Sequence, residues 1–492
     1  MPRYRLARYI LPIVKFVAGI HRPLPKDDLH ERRGLLKAAK SVLVATALEL
    51  HRKRCPFAER MARLGFAFLL PIALMAELGI TTCVRAQNAK DAGPAIIVEG
   101  SPSGLRLGEA LAGHGPMIVL RHRPTSRPMT IRSAGAASAS LFGPPQHGRP
   151  RYSVTDLGTL GGSESFAYAI NNAGELVGSS RLAGDTQIHS FLYRAGVLTD
   201  LYPLNSQGLQ TAGPTGINNG GRIASGLVAD GVYVPAVLNS KTGDLSLLGS
   251  LGGVTSFGFN GVATAINDAG RTVGYSYIDS TTRHAFLYRD GVMTDIGSLG
   301  GPTGYSAALG INNAGTIVGF SSDEPIGVAH AFFYREGVMN RIGPLTESYA
   351  YKINNKGQVV GQFLTADQSA FHAFLYSNGS FTDLALPNGS ETLAYAINDR
   401  EQIVGLASVP YESTCFDPEL GEVPCTLYKQ EAFLYEHGKF QQLNSLIPEN
   451  SGWDLIWAFD INSRGQIVGY GLLNGNFRAF LLTPCCGISG QR

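Results

Sequence analysis

Histidine and aspartate recur at matching places in the C-terminal two-thirds of the sequence. Each histidine begins an apolar segment typical of a strand, and an aspartate follows on the next segment after a short turn. If Asp290-Gly291 is that turn, His284 lies diagonal to Asp295, within reach of its side chain. Two interpretations are open: a structural His–Asp hydrogen bond in each copy, or plain cross-strand packing with turn capping. The residues concerned are His189, His284, His330, His372, Asp200, Asp295 and Asp383.

These side chains do not predict a metal centre, because metal ligands must converge from several directions. The six cysteines lack zinc-site spacing, and no D-x-[DN]-x-[DN]-G calcium loop or G-x-x-x-x-G-K-[ST] phosphate loop occurs. The repeated region also lacks G-x-S-x-G and H-E-x-x-H. The sequence therefore predicts no catalytic residue, no metal and no cofactor.

The histidines belong to a unit that recurs seven times. Its clearest mark is an apolar residue, an asparagine, a turn and an apolar strand that ends in glycine, as in AINDAGRTVG at 265–274. A recurrence close to every 45 residues indicates an array of supersecondary units. The asparagines that mark the register are Asn171, Asn218, Asn267, Asn312, Asn354, Asn398 and Asn462.

Each unit contains four short strand-like segments, and the two ends of the array complete one another. The array ends at 478–484 with a third-strand sequence, whereas it begins at 152–162 with a sequence that matches the fourth strand. Four-stranded sheets repeated at this period form propellers. We therefore predict an all-β fold, a seven-bladed β-propeller of four-stranded antiparallel blades, closed by pairing of strand 152–158 with strand 478–483.

The string HAFLYRDGVMTDIGSLGG at 284–301 and its relatives, together with the I-N-N-x-G-x-I-V-G pattern, resemble the bacterial extracellular HAF-repeat family. The resemblance covers about residues 151–484. It implies export and a propeller-like array, and it brings no catalytic residues with it. The histidine that begins the string is replaced by Pro235, Glu431 and Arg478 in three copies. This replacement argues against a ligand role for the histidine in every blade.

The connections from second to third strand and from fourth to first strand vary among the copies, and in a propeller they emerge on one face. Variable loops on a rigid scaffold commonly carry function, and aromatic side chains beside carboxylates suit sugar or peptide ligands. We predict a non-catalytic propeller that presents this face to a glycan or protein, the alternative being a secreted polysaccharide hydrolase or lyase. For Trp457, packing between blades is the competing interpretation. The candidate ligand-binding residues are Trp453, Asp454, Trp457, Tyr202, Tyr305, Tyr349 and Tyr411.

The longest insertion, 408–430, is acidic and contains Cys415 and Cys425. In an oxidising compartment we expect a disulfide between them, because it would constrain a loop without a core of its own. For Cys485 and Cys486 three fates stay open: free thiols, a vicinal disulfide, or a bond to another chain.

The region before the repeats predicts export. The apolar run 64–76 follows Arg60 and Arg63 and precedes a cleavage-like site at Ala86. We expect a basic extension (1–60), a signal peptide or signal anchor (61–86), a flexible linker (87–150), the propeller (151–484) and a tail (485–492), with the propeller secreted or periplasmic. One alternative interpretation is a translation start at Met61, which would exclude the extension. Another is that the segment 61–86 stays uncleaved as an anchor, and only this anchor would give a stable membrane span.

The region before the repeats and the repeat region differ in net charge. Residues 1–150 contain 23 basic and 9 acidic residues, whereas 151–484 contain 17 and 29. An acidic repeat region argues against a nucleic-acid partner. The sequence does not identify the ligand or the oligomeric state.

Overall fold

The computed structural model describes residues 150–485, except 186, 202–210, 230–231, 256–257, 323–326 and 418–420. The predicted segments 1–60 and 61–86 lie outside this part, as does nearly all of the predicted linker and tail. The described chain forms 28 strands and two 3₁₀ turns, Gly301–Thr303 and Leu443–Leu446. In this part of the protein, no helix is long and apolar enough to cross a membrane.

The strands form seven antiparallel four-stranded sheets, which confirms the predicted seven-bladed β-propeller. We number the blades 1 to 7 and label their strands a to d from the inside outward. Blades 1 to 3 consist of β2 (Gly161–Ile170), β3 (Leu176–Leu182), β4 (Ile188–Arg194) and β5 (Val197–Asp200); β6 (Thr211–Ile217), β7 (Arg222–Ala229), β8 (Val232–Asn239) and β9 (Leu245–Leu247); β10 (Gly261–Ile266), β11 (Thr272–Tyr277), β12 (Arg283–Arg289) and β13 (Val292–Asp295).

Blades 4 to 6 follow the same order, and blade 7 takes its strand d from the start of the array. They consist of β14 (Ser306–Ile311), β15 (Ile317–Ser322), β16 (Ala329–Arg335) and β17 (Val338–Arg341); β18 (Ser348–Ile353), β19 (Val359–Leu364), β20 (Phe371–Ser377) and β21 (Ser380–Leu384); β22 (Thr392–Ile397), β23 (Ile403–Asp417), β24 (Gly421–Glu436) and β25 (Lys439–Gln442); β26 (Trp453–Ile461), β27 (Ile467–Leu473), β28 (Asn476–Pro484) and β1 (Tyr152–Asp156).

Ring closure occurs where the sequence predicts it. β1 pairs antiparallel with β28, from Tyr152 opposite Pro484 to Asp156 opposite Phe480. Each strand a also contacts strand a of both neighbouring blades, and the contact between β26 and β2 completes the circle. Sharing one sheet between the two ends of the array leaves no blade incomplete, so the ends are held by a full set of ladder hydrogen bonds.

The repeated glycines meet two backbone requirements. In the c–d turn of blade 3, Asp290 and Gly291 both have positive φ, 51° and 83°, as a two-residue type I′ hairpin turn demands. Gly274, in strand b, faces a bulge in strand a between Ala263 and Ala265. A Cβ at Gly274 would lie 2.0 Å from the carbonyl oxygen of Val262, so this close approach of two strands excludes any side chain.

The core consists of apolar layers between adjacent blades. Strand c is apolar on both faces, as HAFLYR predicts, because each blade is covered on both sides. Phe286 and Phe374, at the same place in two blades, are fully buried in separate clusters of this kind. At these seams the strand-c phenylalanine and a strand-a alanine of one blade pack against apolar residues of the preceding blade, as Phe286 and Ala263 do against Leu248.

The repeated asparagines also connect the blades. In each copy the side-chain Oδ1 accepts the backbone N–H four residues later, as Asn267 does from Arg271 at 2.9 Å. The side-chain Nδ2 donates to the backbone carbonyl of the corresponding asparagine in the next blade, as Asn267 does to Asn312 at 3.0 Å. The circuit runs through Asn171, Asn218, Asn267, Asn312, Asn354, Asn398 and Asn462 and back to Asn171.

Candidate functional site

The two faces of the propeller differ in the way the sequence predicts. The a–b and c–d turns emerge on one face, which we call the turn face, and they are short and uniform. The b–c and d–a connections emerge on the other, the loop face, and they differ from blade to blade. This difference leaves the loop face free to carry a blade-specific site.

On the loop face, three histidines that begin strand c lie beside aspartates of strand d. The Nδ1 atoms of His189 and His284 lie 2.8 Å from Oδ2 of Asp200 and Asp295 respectively. His372 Nδ1 lies 3.1 Å from both carboxylate oxygens of Asp383. In blade 4 the corresponding strand-d position next to His330 holds Arg341 instead of an aspartate.

Other blades fill the same two positions with different pairs that can also bond. In blade 7, Arg478 replaces the histidine and its Nη2 donates to Asp156 at 2.8 Å. In blade 6, Glu431 replaces it and accepts a hydrogen bond from Gln442. The residue types at these two positions differ between blades, but each pair described here keeps a hydrogen-bond donor and an acceptor. The bond between them holds strand d against strand c. This geometry fits the structural interpretation of the His–Asp pairs.

Both ring nitrogens of His284 face acceptors. Nδ1 faces Asp295, and Nε2 lies 3.1 Å from the carbonyl oxygen of Gly304. Only the imidazolium form has two N–H donors. The hydrogen bond to Asp295 therefore raises the pKa of His284 above its usual value, against the opposing effect of burial.

The candidate ligand residues lie in different environments. Trp453 is half-buried and packs edge-on against Phe480, 6.1 Å between ring centroids. Asp454 is half-exposed, and its carboxylate lies 3.0 Å from Lys429 Nζ. Tyr305 is half-buried at the entrance to blade 4. Tyr202 lies outside the described residues.

For two aromatics the expectation of an exposed loop position is wrong. Tyr349 and Trp457 both lie in strand a, and only 2% and 7% of them are exposed. Trp457 stacks on Phe459 and contacts Tyr395 of blade 6, which is the packing role considered for it from the sequence. The sequence places them in loops because the strands of the variable connections begin earlier than the repeat pattern indicates.

The insertion 408–430 is also not a loop. It continues strands b and c of blade 6 as a two-stranded extension in unbroken register, from Ser408 opposite Gln430 to Asp417 opposite Gly421. We call residues 408–430 the arm. Tyr411 and Tyr428 are exposed on it.

The arm contains a disulfide-bonded cysteine, Cys425. Cys425 lies opposite Ser413, and Cys415 lies on the same facing strand, two residues further on. The side chain of Cys415 is outside those that the structure describes. Cys485 is exposed and free.

The inner strands carry a continuous series of aromatic rings that the sequence analysis did not identify. Successive ring centroids lie 5.0–6.4 Å apart, within the range of favourable aromatic pairs. We call this series the aromatic arc; it passes through blades 4, 5, 6, 7 and 1. In order along the arc, its members are Tyr305, Phe320, Tyr349, Tyr351, Tyr395, Trp457, Tyr470 and Phe166.

The aromatic arc is partly accessible and contains polar groups without partners. Tyr305, Tyr395 and Phe166 are half-buried. The hydroxyl of Tyr351 and both amide atoms of Gln362, which lies opposite Tyr349 in the sheet, are buried and form no hydrogen bond. Burial raises the pKa of Tyr351 well above its usual value, so its hydroxyl stays protonated and able to donate. A mainly aromatic surface with a few polar groups is the usual lining of a ligand site.

An ion pair joins two blades that are not neighbours. Lys352 of blade 5 and Asp460 of blade 7 occupy the same position in strand a, next to the isoleucine that ends the strand, and Lys352 Nζ lies 3.0 Å from Asp460 Oδ1. Asp460 Oδ2 also accepts the backbone N–H of Ile170 in blade 1, at 3.1 Å. The pair therefore spans the centre of the ring, past Ala396 of blade 6.

Among the described residues, no three histidine, cysteine, aspartate or glutamate side chains are grouped to hold a metal ion. A carboxylate pair does occur between blades: Glu431 and Asp454 both approach Lys429 Nζ, at 3.6 and 3.0 Å. Burial raises the pKa of Glu431.

A family described as "Protein of unknown function (DUF3466)" matches residues 305–456. No curated protein matches the chain.

The chain is similar to solved β-propeller structures at low identity. The β-propeller domain of the trilobed protease from Pyrococcus furiosus has 10% identity and a TM-score of 0.41, covering 64% of this chain and 93% of that one. Oligogalacturonate lyase from Vibrio parahaemolyticus has 11% identity and a TM-score of 0.36, covering 67% and 93%. TolB from Acinetobacter baumannii has 13% identity and a TM-score of 0.32, covering 68% and 80%.

Proposed function

We propose that this protein is an exported, non-catalytic propeller that binds a glycan along the aromatic arc. The arc carries the proposal, because sugar rings present flat C–H faces that stack on aromatic side chains while their hydroxyls bond to nearby polar groups. Tyr305 and Tyr395 offer partly accessible rings, and the Tyr351 hydroxyl has bonding capacity that the protein does not use. Export rests on the segment 61–86 and on the resemblance of the repeats to the HAF family.

The experiment is binding of the full-length protein to an array of bacterial and plant polysaccharides, followed by calorimetry on each ligand found. Tyr305→Ala removes an accessible ring of the arc and should weaken binding at least tenfold, by analogy with the stacking of a nucleobase on one aromatic ring, which contributes about 1–3 kcal/mol. The matched control is Tyr411→Ala on the arm, which should bind as the parent protein does. A loss in Tyr411→Ala with none in Tyr305→Ala would place the ligand on the arm and refute the arc.

A catalytic alternative has one observation in its favour. Glu431 and Asp454 come from adjacent blades and both approach Lys429 Nζ, at 3.6 and 3.0 Å. Glycosidases use two carboxyl groups of this kind, and the raised pKa of Glu431 would suit a general acid. Lys429 forms ion pairs with both carboxylates and would compete with a substrate for them, so binding without turnover is the better supported function. Release of sugar from any bound glycan, abolished by Glu431→Gln, would establish the alternative.

A further inference from the structure

Arg283 is a nearly buried cation enclosed by aromatic rings. It begins strand c of blade 3 on the loop face, and only 9% of it is exposed. Its guanidinium carbon lies 4.8 Å from the ring centroid of Tyr275, and 5.8 and 5.9 Å from those of Tyr305 and Phe320. Arg283 thus joins blade 3 to the first two members of the aromatic arc.

No carboxylate of the described protein neutralises this charge. Two other arginines of the loop face are paired, Arg181 with Glu164 and Arg478 with Asp156. The acidic residue of the preceding connection, Asp279, instead accepts the backbone N–H groups of Thr281 and Thr282. The side chain of Arg283 forms no hydrogen bond with any described group, which is unusual because buried charges are normally paired.

The repeat itself does not require a charge at this position. The corresponding residues of the other six blades are uncharged: Ile188, Val234, Ala329, Phe371, Gln430 and Phe477. Hydrophobic or amide side chains therefore satisfy the packing of this strand end. The positive charge of Arg283 is specific to blade 3, next to the accessible ring of Tyr305.

We propose that Arg283 binds the carboxylate of an acidic glycan whose sugar ring stacks on Tyr305. Rings against a guanidinium leave its in-plane N–H groups free, and these match the two oxygens of a carboxylate. Aromatic surroundings lower the local polarity and strengthen such a charge-assisted bond. The inference rests on the proposed glycan-binding function and adds its substrate class, a uronic-acid polymer.

The test compares polygalacturonate and hyaluronate with methyl-esterified polygalacturonate and dextran, using the full-length protein and calorimetry. The parent protein should bind an acidic polymer at least tenfold more tightly than the esterified one. Arg283→Met should lose that preference and keep the weaker binding of the ester, and Arg283→Lys should keep part of it, because lysine retains the charge without the planar fork. Arg335→Met, which removes an exposed arginine of blade 4, should leave the preference unchanged.

The possible outcomes distinguish the role of Arg283 from the proposed glycan-binding function. Binding of dextran or the ester with no preference for the acid would overturn the role of Arg283 and leave glycan binding intact. Loss of the preference in both Arg335→Met and Arg283→Met would show a diffuse charge effect and also overturn it. Binding of no polysaccharide would refute both proposals. If Arg283→Met does not fold, the Arg283→Lys variant tests the proposal. A preference of this variant for the acidic polymer equal to that of the parent would contradict bidentate recognition by Arg283.

Discussion

The side-chain amide of Asn462 donates a hydrogen bond of 3.0 Å to the backbone carbonyl of Asn171, 291 residues earlier in the chain. It closes a circuit in which seven asparagines each bond the next blade. The same side chains accept backbone N–H groups of their own turns. Each asparagine therefore fixes one turn and one seam, so the local turn and the global ring depend on the same residue.

Removing one member of this circuit should destabilise the whole propeller. Asn267→Ala leaves the backbone N–H of Arg271 without its acceptor and the Asn312 carbonyl without one donor. Because both groups are near the buried seam, we expect a loss of roughly 2–4 kcal/mol in the free energy of unfolding, measured by urea denaturation. Asn313→Ala removes an exposed neighbour of the same face and should cost less than about 1 kcal/mol. Equal losses would contradict a special role for the circuit.

His284 should make stability depend on pH. Its pKa is raised in the folded protein, so its contribution is fully present below the unfolded pKa, about 6.5, and is lost as pH rises through the folded value. The difference in unfolding free energy between the parent and His284→Asn should therefore be flat in acid and shrink toward alkaline pH. Asp295→Asn removes the main cause of the raised pKa of His284. The unfolding free energy of this variant should therefore depend less on pH than that of the parent. A constant difference from pH 5.5 to 8.5 would disprove the assignment.

The ion pair across the ring should respond unequally to removal of its two partners. The side chain of Lys352 is 40% exposed, whereas that of Asp460 is 6% exposed. Lys352→Met leaves a buried carboxylate without its counter-charge and should cost about 3–5 kcal/mol. Asp460→Asn leaves a lysine that water can reach, and its amide oxygen can still accept from Ile170, so it should cost only about 1 kcal/mol.

Urea denaturation of the two variants checks this order. If Asp460→Asn is the more damaging change, Asp460 matters chiefly through its bond to Ile170 and not through the ion pair.

The disulfide of the arm should stabilise the arm and not the ring. The arm extends from blade 6 as two strands alone, and an isolated two-stranded hairpin is marginally stable. Cys425→Ser should therefore increase protease cleavage within 408–430 several-fold and leave the thermal midpoint of the propeller nearly unchanged. Cys485→Ser, which removes an exposed free thiol, is the matched control and should alter neither. A large fall in the midpoint of Cys425→Ser would show that the arm supports the ring.

Much of the fold could be predicted because each blade repeats the same local signals. The pair Asp290-Gly291 specifies its hairpin turn by positive φ alone, and the sequence at 152–162 matches a strand that the end of the array lacks. The position of Tyr349 could not be predicted in the same way. Its segment differs from the repeat pattern, and whether a variable connection continues as strand depends on partners in the neighbouring blade.

The sequence by itself determined the number of blades, the strand that closes the ring and the face on which the connections vary. These follow from local turn chemistry and from the period of the repeat, which neighbouring residues fix. Only the tertiary structure decided that Arg283 lies among Tyr275, Tyr305 and Phe320 and that Lys352 reaches Asp460. Apart from the contact of Arg283 with Tyr275 inside blade 3, those contacts join residues of different blades, and their distances depend on how seven sheets pack around one axis.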